Sequence, residues 1–253
     1  MEYSIQMYSL RDITEKNMDK ALETVASIGY KYVEFAGFFG HSADEINAML
    51  DKYGLKLSGT HSSWTDLRDN FEETLAYHKA IGNKNYIVPG ADLSTQEKLD
   101  EFVAVMNEAQ VKLAKEGISL GYHNHSHEFL PSAYGKIIHD EIASRTNVMF
   151  EIDTYWAYNA KRDPVELLEK YKDRMNCIHI KDGLDNGAGK PLGMGTAPVA
   201  AVYEKAKELG MLMVVESETL TPSGSEEARI CFEHLAAVIY FGCRGIFLCL
   251  YSK

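Results

Sequence analysis

Cysteine and proline are scarce in this chain, with four cysteines and six prolines in 253 residues and no CxxC pair among Cys177, Cys231, Cys243 and Cys249. That pattern excludes a disulfide framework and favours a reducing compartment. A dense Lys/Arg run is also missing, and 37 acids against 26 bases leave a net charge of −11. A field of that sign repels phosphate backbones, so no nucleic-acid partner is expected. The most apolar stretch, Leu235 to Leu250, is broken by Gly242, Arg244 and Gly245 and is too short to span a bilayer. The opening Met-Glu-Tyr-Ser-Ile lacks the basic start and apolar core of a secretory leader. A protein with no membrane partner and a cytoplasmic location is the expectation. No serine nucleophile elbow appears, and Gly187-Ala-Gly189 and Gly193-Met-Gly195 lack the strand–helix context of a phosphate loop.

What the chain does have is periodicity. Its 45% hydrophobic residues suffice for a large core. Short apolar runs bounded by turn residues read as buried parallel strands at Tyr3–Tyr8, Tyr32–Ala36, Lys56–Thr60, Asn85–Val88, Ile118–His123, Asn147–Ile152, Met175–Ile180 and Met211–Glu216. Amphipathic stretches alternate with them, among them Asn17–Ile28, Ala43–Tyr53, Phe71–Ile81, Gln96–Lys115, Pro164–Tyr171 and Ala200–Leu209. Gly29, Gly54, Gly82, Gly117 and Gly210 each fall between a helical stretch and the next strand, the left-handed helix-ending position. Eight repeats of one strand–helix unit, with no linker, predict an α/β fold: a (β/α)8 TIM barrel spanning residues 1–253 as a single domain. About 250 residues is the usual size of that fold. The segments His61–Asn70, Asn124–Ser132 and Lys181–Pro198 are long for strand-to-helix loops and fit functional loops on one face. The tail from Tyr240 to Lys253 is apolar and lies outside the repeat.

Side chains able to bind a metal or move a proton sit where the predicted strands stop: Gln6, Glu34, His61, His123 with His125, Asp153, His179 with Lys181, and Glu216. Packing alone favours apolar residues there, because a buried carboxylate or imidazole without a partner is costly. Parallel strands around a common axis bring such ends together at the C-terminal rim. Asp153, His179 and Glu216 end strands six, seven and eight; two carboxylates and one imidazole suit Mn²⁺, Mg²⁺, Zn²⁺ or Co²⁺. The bland reading of each acid alone is a helix cap. On strand five, alternation puts His123 and His125 on one face, with Glu128 close behind; core histidines bonded to backbone are the rival reading. Lys181 shares a face with His179 and either supports an oxyanion or is a solvated loop lysine. Gln6, Glu34 and His61 are placed to bond sugar hydroxyls, and Glu34 and His61 to exchange protons. Trp64, Phe38, Phe39 and Trp156 lie just past strand ends, as walls of a sugar site or as ordinary packing.

A family resemblance rests on several of these segments together. Tyr122–His125 (Tyr-His-Asn-His) with Glu128–Phe129, Glu151–Asp153 (Glu-Ile-Asp), His179–Asp182 (His-Ile-Lys-Asp), Leu192–Gly195 (Leu-Gly-Met-Gly) and Val214–Glu216 (Val-Val-Glu) resemble the xylose isomerase-like sugar phosphate isomerase/epimerase family. Ile5–Arg11 and Gly59–Ser62 resemble its first and third strands, so the likeness runs nearly end to end. It implies a TIM barrel holding one divalent ion, with Asp153, His179 and Glu216 matching three usual ligands. The fourth ligand in many members is a Glu ending strand five. This sequence departs there, with His123 at that point and Glu128 farther along. Either His123 ligates, or the loop returns Glu128 to the ion; we place His123 in the ligand set and leave Glu128 as acid/base or substrate contact.

The activity so implied belongs to carbohydrate metabolism: isomerisation or epimerisation of a sugar or sugar phosphate. The ion would bind a carbonyl and a neighbouring hydroxyl and stabilise an enediolate. His125 or Glu128 would take the proton, Glu216 would assist and Lys181 would support the oxyanion. Gln6, Glu34, His61 and Trp156 would contact the small-molecule sugar. The rival is a lyase or dehydratase that expels a β-leaving group from the same enolate of a keto-sugar or keto-inositol, which the His-rich strand five fits at least as well. A sugar-binding module without catalysis is a further alternative. An endonuclease-like reading needs several zinc ions and a basic groove, against the net charge of −11. Barrels of this kind often form homodimers, though no residue demands it.

Overall fold

The computed structural model describes residues 2–242; the apolar tail beyond Gly242, with Cys243 and Cys249, lies outside the described residues. Eight parallel strands close on themselves: β1 (Ser4–Gln6), β2 (Tyr32–Ala36), β3 (Lys56–His61), β4 (Asn85–Val88), β5 (Ser119–His123), β6 (Met149–Asp153), β7 (Met175–Ile180) and β8 (Leu212–Val215). Pairing of Ser4 with Val214 and Ile5 with Val215 seals the ring between β1 and β8. This is the TIM barrel expected. The first strand is shorter than the apolar run Tyr3–Tyr8 predicted. Gln6 accepts the backbone N–H of Tyr8 at 3.0 Å, and this bond starts a 3₁₀ turn at Met7–Leu10 that ends the strand.

Helices fill the outside: α1 (Met18–Ile28), α2 (Ala43–Tyr53), α3 (Trp64–Asp69), α4 (Phe71–Ala80), α5 (Gln96–Lys115), α6 (Ile138–Arg145), α7 (Thr154–Asn159), α8 (Pro164–Tyr171), α9 (Val199–Glu208) and α10 (Gly224–Gly242). Their starts follow capping chemistry. Ser42 and Glu45 form a reciprocal capping box on α2, and Asp163 with Pro164 opens α8. Gly54 ends α2 at φ 63°, where any Cβ would carry a left-handed penalty. The segment His61–Asn70, expected as a loop, contains α3. Ser63 accepts the Thr65 N–H and Leu67 is buried, so this stretch winds into a helix over the barrel's edge.

The main core lies between strands and helices, with Phe35, Phe102, Tyr122, Phe150 and Tyr203 among its fully buried members. A second, small apolar body of Ile87, Cys177 and Val214 packs separately from it. Cys177 bonds the central Glu151 at 3.1 Å, which sets this body inside the barrel, beneath a polar layer. The register of the sheet slips at two places, between Val33 and Glu34 on β2 and between Phe150 and Glu151 on β6. Bulges re-aim side chains, and here each falls beside a fully buried carboxylate of the interior. Gly59 pairs with Glu34, and a Cβ there would stand 3.1 Å from Glu34 Oε1, so the glycine makes room for the acid.

Candidate active site

The strand ends deliver two linked layers of polar side chains. In the upper layer, His123, Asp153, His179 and Glu216 end or follow β5, β6, β7 and β8, and one donor atom from each lies within 4.8 Å of the others. All four are buried. His123 Nδ1 and Nε2, Asp153 Oδ2 and His179 Nδ1 have no hydrogen-bond partner. Buried lone pairs left unmatched are costly, and a cation shared by all four residues would satisfy Asp153 Oδ2, His179 Nδ1 and one of the two His123 nitrogens. The donor set, two imidazoles and two carboxylates, therefore fits a divalent ion. Asp153 divides its carboxylate between two tasks. Oδ1 accepts the Trp156 N–H at 2.8 Å and caps α7, while Oδ2 faces His123 Nε2 at 3.5 Å. Helix cap and candidate ligand are one residue.

The lower layer holds the upper one in place. His179 Nε2 meets Glu34 Oε2 at 2.9 Å and Glu151 Oε2 at 3.2 Å, which leaves Nδ1 pointed at the upper group. A carboxylate behind a ligating imidazole fixes its tautomer and strengthens it as a donor. His61 stacks on His179 with ring centroids 5.1 Å apart and meets Glu151 at 2.7 Å. Gln6 Nε2 donates to Glu34 at 2.7 Å. Burial, then the neighbouring Glu151, pushes the Glu34 carboxyl up, and burial likewise raises Glu151 and Asp153. Burial depresses His61 to about 4. Burial opposes charge on Glu216 too, but Lys181 and His179 outweigh it and hold that carboxyl well below its usual range. Lys181 Nζ lies 2.8 Å from Glu216, bonds Glu218 as well, and sits 4.7 Å over the Trp156 ring.

Above the upper layer is a cavity of about 450 Å³ lined by Tyr8, His61, His123, His125, Glu216 and Glu218. Of the remaining residues singled out in the sequence, Gln6 and Glu34 are wholly buried below it, Trp156 backs Lys181, and Phe38 packs against Phe35 and Tyr77. Glu128 stands apart. It accepts the Tyr122 hydroxyl at 2.9 Å and the His125 N–H at 2.8 Å, tying down the loop after β5. Three side chains escaped the sequence reading. Glu151 and Asp153 alternate on one strand, as Glu216 and Glu218 do at the next positions past β8, so period-two spacing was the available signal. Tyr8 carried none.

Backbone anchors position the rim. Asp182 accepts N–H groups of Gly183, Gly193, Gly195 and Ala197 at 2.8–3.1 Å, which folds the Gly-rich loop after β7 back on itself. A Cβ on Gly195 would overlap Asp182 Oδ1, so the glycine follows from the anchor. Glu227 of α10 gathers Ser217, Thr219 and Thr221, fixing the loop that carries Glu216 and Glu218.

A closed barrel with buried carboxylates and imidazoles converging at its rim places them where barrels of this fold carry catalytic sites. Residues 22–236 match the model of the xylose isomerase-like TIM barrel family, and the chain belongs to that family. It is 26% identical over 214 residues to a 2-oxo-tetronate isomerase of Haemophilus influenzae, covering 74% of this chain and 82% of that enzyme. An inosose dehydratase of Geobacillus kaustophilus is 24% identical over 189 residues, 65% of this chain and 61% of that enzyme. A solved sugar phosphate isomerase/epimerase of Parabacteroides distasonis superposes with a TM-score of 0.80 at 26% identity, over 93% of this chain and 97% of that one. Among the described residues no helix is long and apolar enough to cross a membrane.

Proposed function

We propose that this chain is a divalent-metal-dependent isomerase or epimerase that moves a proton on a carbon next to a carbonyl in a small sugar or sugar derivative. The observation that carries this reading is the convergence of unmatched lone pairs on His123, Asp153 and His179 beside Glu216, at the floor of the mouth cavity. A divalent ion held by those four residues would supply Lewis-acid stabilisation to the oxygen that gains charge as the C–H bond ionises. His125 lines the cavity with a free Nδ1, and we assign it the proton transfer. Glu128, holding the His125 backbone, positions that base rather than acting as one. Lys181 keeps Glu216 ionised, and Glu218 presents a second carboxylate to the cavity. A volume of about 450 Å³ accommodates a monosaccharide and falls within the usual range of small-molecule sites. The alignment with the isomerase of Haemophilus influenzae supports the same reaction class.

Manganese-loaded protein, incubated with ketohexoses in deuterated water, should incorporate deuterium at the carbon next to the carbonyl, read by proton NMR. Chelation and His125→Ala should each abolish the exchange. Exchange that persists after complete metal removal would refute the reading. The inosose dehydratase similarity supports a second reading, β-elimination from the same ionised substrate. An ultraviolet-absorbing enone formed from 3-keto-glycosides, with no epimer, would select it.

A further inference from the structure

A second cavity of about 630 Å³ opens beside the first, and the two share Gly37 and His61 in their walls. It runs over α3 and α4, away from the candidate ligands. Its lining joins aromatic rings (Phe38, Tyr77) to hydrogen-bonding side chains (Ser62, Asn70) and two exposed carboxylates (Asp66, Glu73). Among the described residues neither lysine nor arginine lines either cavity, and Lys181 behind the first is engaged by Glu216 and Glu218. Rings offering apolar faces beside amide, hydroxyl and carboxylate groups suit a polyhydroxylated ring, whose C–H face is apolar and whose edge bonds. The same carboxylates oppose a phosphate ester. Two residues past Gly37, Phe39 is 49% exposed and held at φ 51°, though it lines neither cavity itself. Tyr8, 43% exposed, stands on the wall of the first cavity as a second exposed ring.

Resting on the proposed reaction at the mouth, we infer that the lateral cavity is a subsite for a second sugar ring, and that the substrate is an unphosphorylated glycoside or disaccharide whose reacting ring sits over His123, Asp153, His179 and Glu216. The floor of the first cavity takes the carbonyl-bearing ring, and the passage between Gly37 and His61 takes the glycosidic link.

The test is titration calorimetry on the manganese-loaded full chain. Its probes are D-fructose, D-fructose 6-phosphate and the fructose disaccharides lactulose, maltulose, turanose and isomaltulose, which differ in linkage. At least one disaccharide should bind about tenfold tighter than fructose, and fructose 6-phosphate should not. Glu73→Trp and Asp66→Leu, both at exposed positions, should each bring the disaccharide-to-fructose ratio close to one. The inference is overturned if no disaccharide exceeds fructose, if the phosphate ester binds tighter than the disaccharides, or if both variants leave the ratio intact. Sugar binding that survives chelation counts against the metal-dependent reaction instead, so the two failures are distinct.

Discussion

At the scale of single residues, Asp153 shows how one side chain serves both fold and chemistry. Asp153→Asn keeps the oxygen that caps α7 and removes the charge at Oδ2. Calorimetric Mn²⁺ titration should show affinity falling about 100-fold, with the unfolding midpoint of the metal-free protein nearly unchanged. Unaltered Mn²⁺ affinity would remove Asp153 from the ligand set. Glu34→Gln disturbs the bond behind His179 and should weaken Mn²⁺ binding about tenfold. Acid stability draws on buried histidines away from the candidate ligands as well. His139 is stacked between Phe129 and Phe150 at 4.6 and 4.5 Å, and burial lowers its pKa to about 3. Its unfolded form takes up a proton near pH 6.5, so its contribution is complete above that pH and is lost as pH falls toward 3. The full swing is at most about 5 kcal/mol. Denaturant midpoints between pH 7 and 4.5 should fall less steeply in His139→Phe; parallel slopes would contradict this. The upper layer was legible in the sequence, because His123, Asp153, His179 and Glu216 all sit within one residue of a strand's end. The division of labour was not: that Glu128 fastens a loop, and that Glu34 stands behind His179, depend on distances between strands far apart in the chain.

At the scale of elements, strands β2, β4 and β7 and helices α2, α5 and α8 coincide with their predicted bounds. Short, mostly apolar strands and helices opened by side-chain caps at Ser42, Thr95 and Asp163 make such segments readable. Helices α3, α6 and α7 were missed, being only 6 to 8 residues long. The caps of α3 and α7, Ser63 and Asp153, sit at the close of strands, where a turn or a ligand reads equally well. The register slips beside Glu34 and Glu151 leave no local signature either. Caps also supply a measurable stability term. Ser42→Ala removes the reciprocal capping box of α2 and should cost about 1 kcal/mol in equilibrium denaturation; a change near zero would argue against the box. Asp182→Ala strips four backbone N–H groups of their acceptor in the loop after β7. Faster amide exchange confined to Gly183, Gly193, Gly195 and Ala197 is the expected outcome, against unchanged protection if Asp182 is no anchor.

At the scale of the whole molecule, the barrel concentrates buried acid at one end. Glu34, Glu151, Asp153 and Glu216 share the interior with Lys181 as the one buried lysine among the described residues. Carboxylates so placed are stabilised by bound cations, so the native state should gain stability from an ion the unfolded chain does not hold. Mn²⁺ at 100 times its dissociation constant should add about 2.7 kcal/mol, seen as a rise in unfolding midpoint that a chelator reverses. The most direct test of the central claim is anomalous diffraction from crystals soaked in Mn²⁺. A single strong peak enclosed by His123, Asp153, His179 and Glu216 is the expected result. A soaked crystal with no peak there, or with its peak at the separate cluster that His125, His127 and Glu128 form on the loop after β5, would contradict the claim.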